Sequence, residues 1–174
     1  MSKIPIVPEI RADVDAPKKY ARAYLGAGNA SASIVPAAQV PIDFNFPYDD
    51  PFGLIIETGA NWTFTADEDG IYDLKCTINV SANFDALGED VQIRVDTTNL
   101  SGEAPSTFKQ ISEMQGQANT ATENHSIAAT TLLKIRAGET FNVYLVNSTS
   151  NNVGIGQGGG LTFFEIIKVS EIKE

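Results

Sequence analysis

The chain has 174 residues, with 22 Asp and Glu against 12 Lys and Arg, a formal charge of −10 and a pI near 4.5. Repulsion from phosphates at that charge excludes nucleic acid and anionic lipid as partners. A lone cysteine, Cys76, excludes an internal disulfide, and no apolar run reaches the ~18 residues of a membrane span.

Residues 1–19 differ in character from the remainder of the chain. Pro5, Pro8 and Pro17 interrupt any helix or central strand. Ile4, Ile6, Val7 and Ile10 are apolar, but too few to make a core. An extended arm is expected, with those four residues as its docking candidates, because a purely solvated tail would be more polar. The segment has no signal-peptide pattern, so synthesis in the cytosol is expected.

Residues 20–174 form the second unit, a head domain. No window shows apolar residues at helical spacing; short β-favouring runs alternate with Gly, Asn, Asp and Pro clusters. Strands are predicted near 20–25, 32–35, 39–44, 53–56, 60–66, 70–82, 90–97, 107–115, 124–135, 140–147, 152–156 and 161–169. In the longest of these, Tyr72, Leu74, Cys76, Ile78 and Val80 share one face, while the other is mostly polar. Residues 137–139 (Ala-Gly-Glu) form a turn ahead of a strand that sets Phe141, Val143, Leu145 and Asn147 on one side. So many short strands imply a sandwich or barrel.

Residue types that carry chemistry are sparse. His125 is the single histidine, so neither a histidine pair nor a Cys/His cluster for zinc exists, and there is no G-x-S-x-G motif. Cys76 lies within a strand with no histidine near it in sequence, as a buried inert thiol would. Carboxylates cluster at Asp49 and Asp50 and at Asp67, Glu68 and Asp69. Paired acids can serve glycoside hydrolysis or calcium binding. Both clusters adjoin turn residues (Pro47, Pro51 and Gly70), where Asp is favoured for turn chemistry alone. The glycine-rich run at 154–160 precedes another strand rather than a helix, so a loop fits it better than a dinucleotide site. No enzyme activity, metal or cofactor is expected.

The segment WTFTADEDGIYDLKCTINV at residues 62–80 resembles the F-x-A/P…G-x-Y signature of the complement C-one-q and tumour-necrosis-factor-like jelly rolls, through Phe64, Ala66, Gly70 and Tyr72. Upstream, Ile42, Asp43, Phe44 and Asn45 resemble the hydrophobic-Asp/Asn-Phe stretch that comes after the family's first strand. Downstream, Leu133, Ile135, Gly138 and Glu139 match its T-x-L-x-L-x-x-G-D/E pattern, and LTFFEIIKV its final core strand. The match spans about 150 residues, 20–169.

The resemblance implies an all-β, ten-strand jelly-roll sandwich that assembles as a compact homotrimer, with an aromatic-rich sheet face around the threefold axis. Tyr20, Tyr24, Tyr72, Phe163 and Phe164 are the candidates for that face or for the core. Neither a collagen-like stalk nor a signal peptide is present, which points away from complement or cytokine biology. The functional expectation is a non-enzymatic virion structural protein of bacteriophage type, a capsid decoration, head fibre or spike. The arm would join it to capsid or other virion proteins, and a host-surface glycan or protein is a further partner. The alternative is a bacterial cell-surface or secreted adhesin of the same fold.

Overall fold

The computed structural model describes residues 18–26, 33–44, 46–58, 61–102, 108–116, 119–157 and 161–172. Ile4, Ile6, Val7 and Ile10 lie outside them. The described residues form fourteen strands and no helix. In chain order these are β1 (Tyr20–Tyr24), β2 (Ser33–Ile34), β3 (Ala38–Pro41), β4 (Phe46–Asp49), β5 (Ile55–Thr58), β6 (Asn61–Thr65), β7 (Gly70–Phe84), β8 (Asp90–Asp96), β9 (Phe108–Gln115), β10 (Asn119–Ile135), β11 (Thr140–Phe141), β12 (Val143–Asn147), β13 (Val153–Ile155) and β14 (Phe163–Ser170).

One sheet runs β2-β13-β7-β14-β1-β4, with β10 on the other edge of β7. Facing it are β3-β12-β8-β9 and the short sheet β11-β6-β5. Every pairing is antiparallel. The architecture is an all-β jelly-roll sandwich.

The strand count exceeds the ten expected because strands break where the chain changes partners. The run predicted over 140–147 splits at Asn142. Its carbonyl accepts the Asp96 N–H at 2.9 Å, and its side-chain amide donates to the Trp62 carbonyl. β11 therefore pairs with β6, and β12 with β8. β4 has no counterpart among the predicted strands, because Pro47 and its acidic neighbours carry a turn signal. It is an edge strand beside β1, the one sheet position where a proline costs little.

The alternation in β7 holds along its length. Tyr72, Leu74, Cys76, Ile78 and Val80 are buried, and the intervening residues are partly or fully exposed. Between the layers sits an aromatic cluster. Trp62 lies 4.9 Å from Phe164 and 5.1 Å from Phe44, and Phe64 lies 5.0 Å from Phe141 and 5.8 Å from Tyr72, ring centre to ring centre. Each such buried ring contributes roughly 1.5–3 kcal/mol by leaving water, plus a smaller gain from edge-on packing.

Two segments that carry the family resemblance meet in space. The Ala66 N–H donates to the Glu139 carbonyl at 3.1 Å, and the Gly138 N–H donates to the Ala66 carbonyl at 2.7 Å. Gly138 has φ +82°, a left-handed conformation that side chains disfavour, which accounts for glycine in this turn.

Candidate interaction face

In β1 the small residues Ala21 and Ala23 point into the core, which leaves Tyr20, Arg22 and Tyr24 on the outer face. In β14, Phe164 and Ile166 point inward, and Phe163, Glu165 and Ile167 outward. Strand register then lines the outer face into cross-strand rows. Tyr24, Phe163, Thr77 and Ala128 form one row across β1, β14, β7 and β10. Arg22, Glu165, Lys75 and Thr130 form the next, and Tyr20, Ile167, Asp73 and Leu132 the third.

The first row opens a hollow of about 610 Å³ between β14, β1 and β4, walled by Tyr24, Tyr48 and Phe163 and floored by Ala23. A register shift between Arg22 and Ala23, where β4 meets β1, frees Tyr48 to swing over the hollow. Its ring centre lies 6.4 Å from that of Tyr24, and it is 73% exposed. Phe163 also borders a second hollow of about 320 Å³ toward β10, with Thr77 and Ala128 in its lining. At the edge of the face, the Tyr20 ring meets Phe52 edge-on at 5.9 Å. Partial desolvation and a hydrogen bond to Asp49 hold the Tyr20 phenol above its ordinary pKa.

The middle row is an ion-pair ladder. Arg22 Nε lies 2.6 Å from Glu165 Oε2, and Lys75 Nζ lies 3.9 Å from Glu165 Oε1 and 3.8 Å from Asp73 Oδ2. The Thr130 hydroxyl donates to Asp73 at 3.2 Å.

Tyr72 and Phe164 sit in the core at 0% exposure, away from this face, while Tyr20, Tyr24 and Phe163 lie on it half-buried. Burial pushes the Tyr72 phenol up to about 12, and its hydroxyl donates to the Glu68 carbonyl at 2.9 Å. Tyr48, Arg22, Lys75 and Glu165 were not legible as site residues. A strand-period pattern at 46–49 was the one available signal, and Pro47 masked it.

The carboxylates singled out in the sequence serve ion pairs and turns, and Lys19 lies near both Asp67 and, at 3.7 Å, Glu68. Asp67 pairs with Lys19 at 2.6 Å, Glu68 with Lys168 at 2.8 Å, and Asp69 accepts the Ala137 N–H at 2.8 Å. Asp50 accepts the N–H groups of Leu54 and Ile55, both at 2.9 Å, and closes a turn. Lys168 is nine-tenths buried, which works to lower its pKa. Hydrogen bonds to Glu171 and Glu68 outweigh that and hold the ammonium above its ordinary value.

Burial alone pushes the Cys76 thiol up, away from the thiolate that reactivity needs. His125 packs edge-on against Phe84 at 6.0 Å and lies 3.8 Å from Glu123. Among the described residues, no three His, Cys, Asp or Glu side chains converge as a metal site would require. In the glycine-rich run, Gly156 closes against Asn79, its N–H donating to the Asn79 carbonyl at 2.8 Å; residues 158–160 lie outside the described ones.

No protein-family model matches the chain, and no curated protein sequence does. Among solved structures it is similar to the Eiger tumour necrosis factor of S. frugiperda, at 16% identity and a TM-score of 0.61, over 91% of this chain and 97% of that one. It is also similar to murine APRIL, at 12% identity and a TM-score of 0.54, over 87% of this chain and 100% of that one. At these identities the likeness is one of fold.

Proposed function

We propose that the chain is a non-catalytic binding head that assembles as a homotrimer, burying the outer face of β1, β14, β7 and β10 against neighbouring copies. The observation that carries this reading is the 610 Å³ hollow walled by Tyr24, Tyr48 and Phe163 on a chain that is otherwise strongly acidic. Aromatic side chains beside a hollow serve as anchors and as the pocket for a partner's anchors.

Charge supports a second copy as that partner. On the face, Asp49, Asp73 and Glu165 stand against Arg22 and Lys75, one net negative charge, whereas the whole chain carries −10. Copies therefore meet there with little of the repulsion that other surfaces would impose. The tumour-necrosis-factor-like fold and the sequence resemblance support three as the number of copies. Light scattering tests this: a mass near 56 kDa, three times 18.7 kDa, is expected, and 18.7 kDa at micromolar concentration would overturn it.

We further assign this head to a virion of bacteriophage type, as a capsid decoration, head fibre or spike, with residues 1–19 attaching it to the particle. The support is compositional: Pro5, Pro8 and Pro17 are incompatible with a helix interior, and Ile4, Ile6, Val7 and Ile10 are apolar residues suited to docking. Loops at the free end would then meet a host-surface glycan or protein. A bacterial surface or secreted adhesin is the alternative. Deleting residues 1–19 separates the two: a folded head that no longer joins particles supports the virion role, and unimpaired attachment would sink it.

A further inference from the structure

The charged row lies across the middle of the face, between two rows that are largely apolar. Its side chains are satisfied within their own chain. Glu165 is held from both sides by Arg22 and Lys75, Lys75 reaches on to Asp73, and Asp73 accepts the Thr130 hydroxyl. At the far end Arg22 faces Asp49 across the β1–β4 pairing. The Glu165 side chain is only 18% exposed before anything docks.

Burying such a row is costly and returns little against an apolar surface, while breaking one pair strands a charge out of water. A polar row inside an apolar contact therefore works by rejecting wrong arrangements. Successive rows are two residues apart along each strand, about 7 Å. A slip of one row would set Arg22, Glu165 and Lys75 against the partner's aromatic row, and every charge would lose water without gaining a polar neighbour.

We infer that the row Asp49–Arg22–Glu165–Lys75–Thr130, with Asp73 beside it, is the specificity determinant of this face: it admits a second copy of this chain in one register and refuses slipped copies and apolar strangers. The inference rests on the assembly reading above.

Glu165→Gln, Lys75→Met and the neutral-row variant Arg22→Gln/Asp49→Asn/Asp73→Asn/Lys75→Gln/Glu165→Gln test it by sedimentation equilibrium on the full chain, alongside urea unfolding at a dilution where the chain is monomeric. Glu165→Gln leaves Arg22 and Lys75 without their shared partner and is expected to weaken assembly at least tenfold while the unfolding midpoint of the monomer falls only slightly, because water still reaches both half-exposed cations there. Lys75 is half-exposed, so Lys75→Met keeps the fold and is expected to weaken assembly severalfold. The neutral-row variant replaces every charge of the ladder by a hydrogen-bonding amide. It is expected to associate within about threefold of wild type but to spread over more than one assembled species. Glu165→Gln and Lys75→Met chains that assemble like an assembling wild type would overturn the inference and leave the assembly reading standing. A wild type that stays monomeric would overturn both.

Discussion

Phe163 and Phe164 are neighbours in β14 that face opposite ways, so truncating them separates folding from assembly. Phe164 is fully buried against Trp62 (4.9 Å), Phe44 (5.7 Å), Phe141 (6.2 Å) and Phe64 (6.3 Å). Phe164→Ala removes the ring common to these contacts and leaves a cavity that rigid aromatic neighbours fill poorly. Losses of this kind run at about 3–5 kcal/mol. For a domain of this size each kcal/mol lowers Tm by roughly 2–4 °C, so the expected drop is about 6–20 °C. Phe163 instead stands half-buried between two open hollows, and Phe163→Ala should cost the isolated subunit only about 1 kcal/mol, since no enclosed cavity is left behind. Thermal and urea unfolding over a concentration series reads both effects. The Phe164→Ala loss is independent of concentration, because it belongs to the monomer. The Phe163→Ala loss shrinks on dilution, because it belongs to association. Equal losses at the two positions, or a larger one for Phe163→Ala at every concentration, would refute the assignment of the two faces of β14.

Three further outcomes are expected. A Cβ at Gly116 would sit 1.9 Å from Phe84 Cγ, so Gly116→Ala destabilises by about 1–3 kcal/mol in urea unfolding, and adding Phe84→Ala relieves the clash without restoring wild-type stability. Because the Lys168 ammonium is held above its ordinary pKa by Glu171 and Glu68, its ion pairs stabilise the fold at neutral pH, where both carboxylates are ionised. That contribution is lost as pH rises through the raised value, so stability should decline above about pH 10 in wild type and less steeply in Lys168→Met, measured by urea midpoints against pH. Cys76 should resist iodoacetamide in the native protein and react at once in denaturant, scored by intact mass; rapid native alkylation would contradict its burial.

The jelly roll was legible because its signals are local. Period-two alternation from Tyr72 to Val80 marks a half-buried strand whatever it packs against, and Gly138 marks its turn through φ alone. The acidic cluster at Asp67, Glu68 and Asp69 was readable as turn chemistry for the same reason, although its partners Lys19, Ala137 and Lys168 were not. β4 was missed because Pro47 carries a turn signal that only a neighbouring β1 overrides. Of the aromatic candidates, composition could not separate Tyr72 and Phe164 from Tyr20, Tyr24 and Phe163. Which side of a sheet a residue faces depends on strand phase, and which side is core depends on the opposing layer.

The sequence by itself determined an all-β chain whose order of motifs resembles that of the tumour-necrosis-factor-like jelly rolls, since these depend on residue type and spacing. The tertiary structure alone decided that Arg22, Glu165 and Lys75, from three strands far apart in the chain, form one ladder, and that Tyr24, Tyr48 and Phe163 wall one hollow. Those groupings are products of register between strands, and a one-residue shift in any pairing would send each side chain to the opposite face.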